Sequence, residues 1–239
     1  QRLALYDGIL TSGEAVWLHL RDRPDTWWRD LGHRVYHLGP ERDRRRVVRP
    51  GLEEILAMTL AERARQRLGA LATAVALVET VTPLVPQSRA GIHWPNDVFL
   101  GDRKLAGILV EVLPDGRYIV GLGCNVNNSI SAAPDDLASI VTSLRDVTQR
   151  EFDRTDLLTE LFDQLGIALH VLASEPGELG RQSDRHCLQH GRSLTIRVGA
   201  QEETGVCEGI ADDGALVLST PQGRQTFYSG VLVKALPKF

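Results

Sequence analysis

Residues 90–125 hold three strand-length apolar runs separated by very short polar breaks, and this segment limits the fold more than any other. "GIHWPNDVFL", "KLAGILVEV" and "YIVGLGCNV" are rich in Val, Ile and aromatic residues, the types that suit a pleated, half-buried surface. Pro95 limits the first run, and "PDGR" at 114–117 is a turn. Breaks this short leave the runs to pair back on one another as hairpins. Into the same stretch the sequence puts Asn96, Asp97 and Lys104, which a purely structural hairpin does not require.

The remainder reads as helices packed on that sheet, followed by a small all-β unit. "LALYDGIL" is a strand, "TSGEAVWLHL" a short helix capped at Thr11 or Ser12, and "HRVYHL" a strand. The stretch 68–81 is apolar at helical spacing, whereas "EILAMTL" before it fits helix and strand equally. "LASIVTSLRDVT" and "RTDLLTELFDQLGIALHVL" are expected to be helical, the second with Thr155 as N-cap. "SEPGELGRQSDRH" reads as a polar connector. Beyond it "RSLTIRV", "ETGVCEGI", "GALVLST" and "RQTFYSGVLVKA" are short strands separated by turn residues. The expectation is an α+β chain in two parts, residues 1–183 and a β-barrel of SH3 size over 184–239.

Bulk properties narrow the function. The 239 residues carry a formal net charge of −4, which argues against a duplex-DNA binder. The apolar share of 43 % is enough for a sizeable core. No apolar run is expected to reach a membrane-spanning length, and no signal peptide is evident. Cys124, Cys187 and Cys207 are odd in number and widely spaced, which fits a reducing, cytoplasmic location better than a disulfide or zinc framework. The histidines show no metal-ligand spacing; His186 and His190, four apart, lack an obvious third protein ligand.

Arginine supplies nearly all the positive charge, with lysine only at Lys104, Lys234 and Lys238. A lysine in mid-chain beside a strand-end carboxylate therefore stands out. Asn96 and Asp97 either form an Asx turn or orient a phosphate or a divalent cation. Lys104 either blunts an edge strand or places a cation where negative charge develops in a reaction. Gly107, Gly121 and Gly123 interrupt strands, where glycine marks a bulge or a close backbone approach. The period of two sets Gly121, Gly123 and Asn125 on one face. "GPERDRRRVVRPG" at 39–51 is a loop whose Arg42, Arg44, Arg45, Arg46 and Arg49 either capture phosphate or are simply solvated. It is no P-loop, because GxxxxGK[ST] is absent, and no GxSxG supports a serine hydrolase.

The block "HWPNDVFLGDRKLAGILVEV" with "YIVGLGCNVN" closely resembles the central motifs of biotin protein ligases, KWPND, grKlaGiLvE and vGiGiNvn. "YDGILTSGEA", "LASIVTSLRD" and the strands after 190 are similar to other parts of that family. The resemblance implies a mixed β-sheet packed with helices, the class II synthetase-like biotin/lipoate ligase fold, with an SH3-like C-terminal barrel. It implies a reaction in which biotin carboxylate attacks the α-phosphorus of ATP. Biotinyl-5'-AMP and pyrophosphate form, and a lysine of a biotin carboxyl carrier domain, of acetyl-CoA carboxylase or another biotin-dependent carboxylase, then takes the biotin.

By position, Lys104 matches the catalytic lysine at the biotin carboxylate. Asp97 matches the acidic residue near Mg2+ and the phosphates, with Asn96 beside it, and Asn125 matches the asparagine on the nucleotide. Gly107 and Gly121 match positions lining the biotin pocket, and Thr11 and Ser12 those at the biotin rings. Arg42 and Arg44 stand for the arginines of the family's GRGRxGRxW loop, whose glycine rhythm and Trp are absent here. His93 replaces the lysine of KWPND, and Gly13 the asparagine of the Ser-Thr-Asn element. No DNA or membrane partner is implied, and a homodimer is compatible. The departures keep two other readings open: a ligase-fold protein that binds a nucleotide or acyl ligand in a regulatory role, and a lipoate ligase-like enzyme.

Overall fold

The structure, a computed structural model, describes residues 15–19, 27–30, 35–38, 46–47, 60–113, 117–130 and 139–235. The expected strand at 3–10 and most of the 39–51 loop lie outside them, as do residues 52–59 and the tip of the 114–117 turn.

The central sheet is antiparallel between its strands, in the order β1-β8-β7-β6-β5: β1 (Ala15–His19), β5 (Ala90–His93), β6 (Asp97–Leu100), β7 (Arg103–Val112) and β8 (Tyr118–Cys124). Among the described residues its parallel component is two isolated bridges, Ile92 with Cys187 and Lys104 with Val141. A small sheet joins β2 (Trp27–Asp30), β3 (Val35–Leu38) and β4 (Arg46–Val47). The helix expected over "TSGEAVWLHL" is instead β1, paired residue for residue with β8 from Ala15↔Gly123 to His19↔Ile119. Val16, Trp17 and Leu18 suit either state locally, and the open edge of β8 decides for strand.

One face of this sheet is a closed core. Ile92, Val98, Leu100, Ala106, Ile108, Val110, Val120 and Leu122 are buried along it. Helix α1 (Leu60–Val81) packs on it, and α3 (Arg154–Ser174) and α4 (Pro176–Arg185) pack on α1. By length and mean hydropathy, α1 and α3 both reach what a membrane span requires, which corrects the expectation that no apolar run would. The buried faces of α1 and α3 belong to the core: Leu71, Leu77 and Val78 from one, Leu161 and Leu165 from the other.

Two helix ends and one whole helix also differ from expectation. The N-cap of α3 is Asp153, not Thr155, because the Asp153 carboxylate accepts from the Thr155 and Asp156 N–H groups. Those bonds to the charged form hold its carboxyl below the usual range. Of the helix expected over 137–148, the described residues 139–148 form only α2 (Leu144–Thr148), begun by Ser143 accepting from Asp146 N at 3.0 Å. The "polar connector" is α4, which starts on Pro176 and buries only Leu179, Gly180 and Ser183. With Leu179 as its one large apolar residue, its composition reads as a connector.

The C-terminal part is a five-stranded antiparallel sheet of SH3-like type: β9 (Ser193–Val198), β10 (Gln201–Ile210), β11 (Leu216–Thr220), β12 (Gly223–Phe227) and β13 (Val231–Ala235). Register shifts at Cys207/Gly209 and Leu232/Lys234 bend it. Leu194, Ile196, Leu216 and Leu218 join the same core as the sheet and helices. The connection to the central sheet is tight. A Cβ at Gly91 would sit 2.6 Å from both the His186 carbonyl oxygen and Leu188 Cγ. Gly91→Ala is therefore expected to lower unfolding free energy by about 1–3 kcal/mol in urea denaturation.

Candidate functional site

The opposite face of the central sheet holds the polar residues singled out in the sequence. Cross-strand neighbours run in one row, His93↔Asp97↔Gly107↔Gly123↔Ala15. Asp97 begins β6 directly after the three-residue loop Trp94-Pro95-Asn96. Asn96 is held by an exchange with Ile108: Ile108 N donates to Asn96 O at 2.9 Å, and Asn96 Nδ2 donates to Ile108 O at 2.6 Å. The amide thus fastens the corner to β7 rather than closing an Asx turn on its own backbone.

Lys104 reaches this face through a break in register. Strict alternation from the pair Asp97↔Gly107 would turn Lys104 to the core side. Between Val98 and Phe99 the ladder shifts, so that Lys104 and Leu105 together oppose one residue, Phe99. Leu105 fills the core, and Lys104 Nζ lies 2.7 Å from Asp97 Oδ1. The displaced backbone is held from outside the hairpin: Lys104 N donates to Ile140 O at 2.8 Å, and Thr142 N to Lys104 O at 2.9 Å. Gly107 is the floor beneath the pair. A Cβ there would stand 3.2 Å from Lys104 Nζ and 3.4 Å from Asp97 Oδ1. Glycine thus leaves room both for the ion pair and for a ligand against the backbone.

Asn125 follows β8. Its backbone N–H donates to Leu105 O at 3.0 Å, its carbonyl accepts from Leu144 N, and its Oδ1 accepts from Asn128 at 3.2 Å. Gly121 lies in β8 opposite Leu109, two residues from Gly123 and on the same face by register. The structure therefore brings Asn96, Asp97, Lys104 and Gly107 together, with Asn125 adjoining the Lys104–Leu105 bulge. Thr11, Ser12, Arg42 and Arg44 lie outside the described residues.

The sequence reading did not anticipate the part played by residues after 185. Arg192 Nη2 pairs with Asp102 Oδ1 at 2.7 Å, fastening the C-terminal part to the β6–β7 turn. His93 stacks on Phe99 with ring centroids 4.5 Å apart. Burial pushes its ring below the ordinary histidine value; Asp97 opposes this, while Arg192 and Lys104 reinforce it. His186 and His190 take carboxylate partners, Glu79 and Asp184, each at 2.8 Å. Among the described residues no trio of His, Cys, Asp or Glu is placed to hold a metal ion.

The antiparallel sheet, the helices on it and the appended β-domain give the fold of biotin protein ligases. Two family models match the chain, "Biotin/lipoate A/B protein ligase family" over residues 53–127 and "Biotin protein ligase C terminal domain" over 190–234. Over these two segments the chain is similar to biotin protein ligases. A biotin--[acetyl-CoA-carboxylase] ligase of Mycobacterium tuberculosis is 31 % identical over 151 residues, covering 62 % of this chain and 55 % of that protein. One from Paracoccus denitrificans is 31 % identical over 148 residues, covering 59 % and 61 %. The chain thus spans little more than half the length of these relatives. A solved structure of biotin protein ligase from Aquifex aeolicus in complex with biotin and ATP shares the fold, with a TM-score of 0.62 at 23 % identity over 70 % of each chain.

The Lys104 and Asp97 side chains are 39 % and 24 % exposed, so their pairing contributes little to folding. Lys104→Met is expected to change unfolding free energy by less than about 1 kcal/mol, read by thermal and urea unfolding. For His93 the folded-state pKa lies below the unfolded one, near 6.5. Its neutral ring therefore favours the fold fully above that value. The contribution is lost as pH falls from about 6.5 through the lowered folded value. NMR titration of the ligand-free protein should place the His93 midpoint below 6.5.

Proposed function

We propose that the chain is an ATP-dependent biotin protein ligase that forms biotinyl-5'-AMP and passes biotin to a lysine of a biotin carboxyl carrier protein. The observation that carries this reading is the convergence of Lys104 and Asp97 over Gly107, with Asn125 adjoining. In the first step a biotin carboxylate oxygen attacks the α-phosphorus, and the bond to the departing pyrophosphate breaks. Two anions must approach each other, so a cation at the point of contact lowers the barrier. The Lys104 ammonium serves there, bridging the carboxylate and the α-phosphoryl oxygens. Asp97 holds the ammonium in place before substrate arrives. In the second step the carrier lysine's neutral amine attacks the acyl carbon, AMP leaves with the electron pair of the acyl–oxygen bond, and the new amide nitrogen gives up one proton to solvent.

The Gly107, Gly121 and Gly123 backbone is assigned to the biotin rings, and by sequence position Thr11 and Ser12 are assigned to them as well. Asn96, Asn125, Arg42 and Arg44 are assigned to the nucleotide. A lone carboxylate already paired with lysine does not make a resident metal site. It does fit Mg2+ that arrives on the ATP phosphates, with Asp97 as its one protein carboxylate. Such an ion neutralises phosphate charge. We place the boundary between ligase and barrel parts near 183/184. The location is the cytoplasm, where ATP is available and the three cysteines remain thiols.

The test is biotin-dependent exchange of labelled pyrophosphate into ATP. The native chain should catalyse it, and Lys104→Met should reduce it about a hundredfold or more while remaining folded. A folded native chain with no exchange removes the ligase reading. Exchange that proceeds with lipoate and not with biotin shifts the substrate.

A further inference from the structure

The edge of the central sheet next to the site is finished by the segment leading into the C-terminal part. β5 is the last strand of its sheet and pairs with β6 on one side only. On its other side Ile92 N donates to His186 O at 2.8 Å, and Leu188 N donates to Ile92 O at 3.0 Å. These are two rungs of a parallel ladder, in which the next backbone donor is two residues on, Trp94 N. That N–H goes instead to a side chain, Gln189 Oε1, at 2.7 Å. Gln189 is fully buried, and its Nε2 has no hydrogen-bond partner. A backbone N–H only donates, so the amide oxygen must face Trp94 and the orphaned NH2 must point away. A buried amide group left unpaired is costly, and its retention marks the acceptor on the other arm as the part that is used.

Trp94 N is the last hook on this edge before the polar corner. Pro95 has no N–H, and the following residues are Asn96, which fastens to Ile108, and Asp97, which meets Lys104. The Trp94 ring is held from the same direction, with Nε1 donating to Gly214 O at 3.0 Å. We propose that Gln189 is a positioning residue for the Asp97–Lys104 pair. Its side-chain carbonyl extends the β5 edge ladder by one rung, fixes where the Trp94–Asn96 loop leaves the sheet, and so makes the entry to the C-terminal part a component of the site. The activity readout rests on the ligase reading above; the exchange rate of the Trp94 amide does not.

The test compares Gln189→Met, which keeps the volume and removes the acceptor, with Gln189→Glu, which keeps an acceptor. Pyrophosphate-exchange kinetics, thermal unfolding and hydrogen–deuterium exchange at the Trp94 amide are measured on the full chain. Gln189→Met should lower kcat roughly tenfold, leave the KM for biotin within about twofold, and speed exchange at Trp94, with little change in Tm. At pH 6, where burial keeps the introduced carboxyl neutral, Gln189→Glu should return kcat to within about threefold of native. Native kcat in a folded Gln189→Met chain overturns the proposal, and so does a loss of kcat with Trp94 protection unchanged. If Gln189→Met does not fold, Gln189→Glu decides. Near-native kcat and Trp94 protection support the proposal, and a tenfold loss with native protection overturns it. Failure of both variants to fold makes Gln189 a determinant of the fold and also overturns it. Should the native chain show no pyrophosphate exchange, the ligase reading falls. Unaltered Trp94 exchange in Gln189→Met would then overturn this inference separately.

Discussion

A one-residue break in the β6–β7 ladder is the constraint on which the rest of the site depends. A strand assigns its residues alternately to two faces, and here one face is closed by α1. With an unbroken register Lys104 would point into that apolar core, where an ammonium is prohibitively costly without a partner. The extra residue sends Leu105 inward and Lys104 outward to Asp97. Because the displaced backbone bonds to Ile140 and Thr142, the bulge is stabilised by residues far along the chain rather than by the hairpin alone.

The two faces of the sheet divide the work accordingly. The closed side is continuous from α1, α3 and α4 into the C-terminal strands, so the scaffold behaves as one packed body. Among the described residues, the open side carries the glycines Gly107, Gly121 and Gly123, the Lys104–Asp97 ion pair, and the amides of Asn96 and Asn125, whose hydrogen bonds are already made. The Lys104–Asp97 pair and the Asn96–Ile108 exchange are thus both in place in the folded chain. His93, held neutral against Phe99, adds no positive charge to that face at neutral pH.

Much of this was legible from residue order. The strands over 90–124 were visible because Val, Ile and glycine alternate across short breaks. α3 was visible because Leu157, Leu158, Leu161, Leu165 and Leu169 recur on one stripe. Asn96, Asp97, Lys104 and Gly107 stood out as polar or bare positions inside apolar strands. β1 was misread because its five residues satisfy helix and strand alike, and only an unpaired edge on β8 separates them. α4 reads as a connector because its ten residues include Pro176, Gly177 and Gly180 and a single large apolar side chain, Leu179. The segment 139–143 has locally helical spacing, but its backbone bonds to Lys104 instead, a contact that local propensity does not encode.

Sequence alone determined which polar and bare positions the strands over 90–125 carry, since side-chain type and period two are properties of neighbouring residues. Tertiary structure alone decided that Lys104 faces Asp97, that Gly107 lies under both, and that Gln189 and Arg192 reach back from beyond residue 185. The reason is physical: a register shift and an edge-strand cap are bonds between segments distant in the chain, and each exists only once the sheet, its helices and the C-terminal strands have closed around one core.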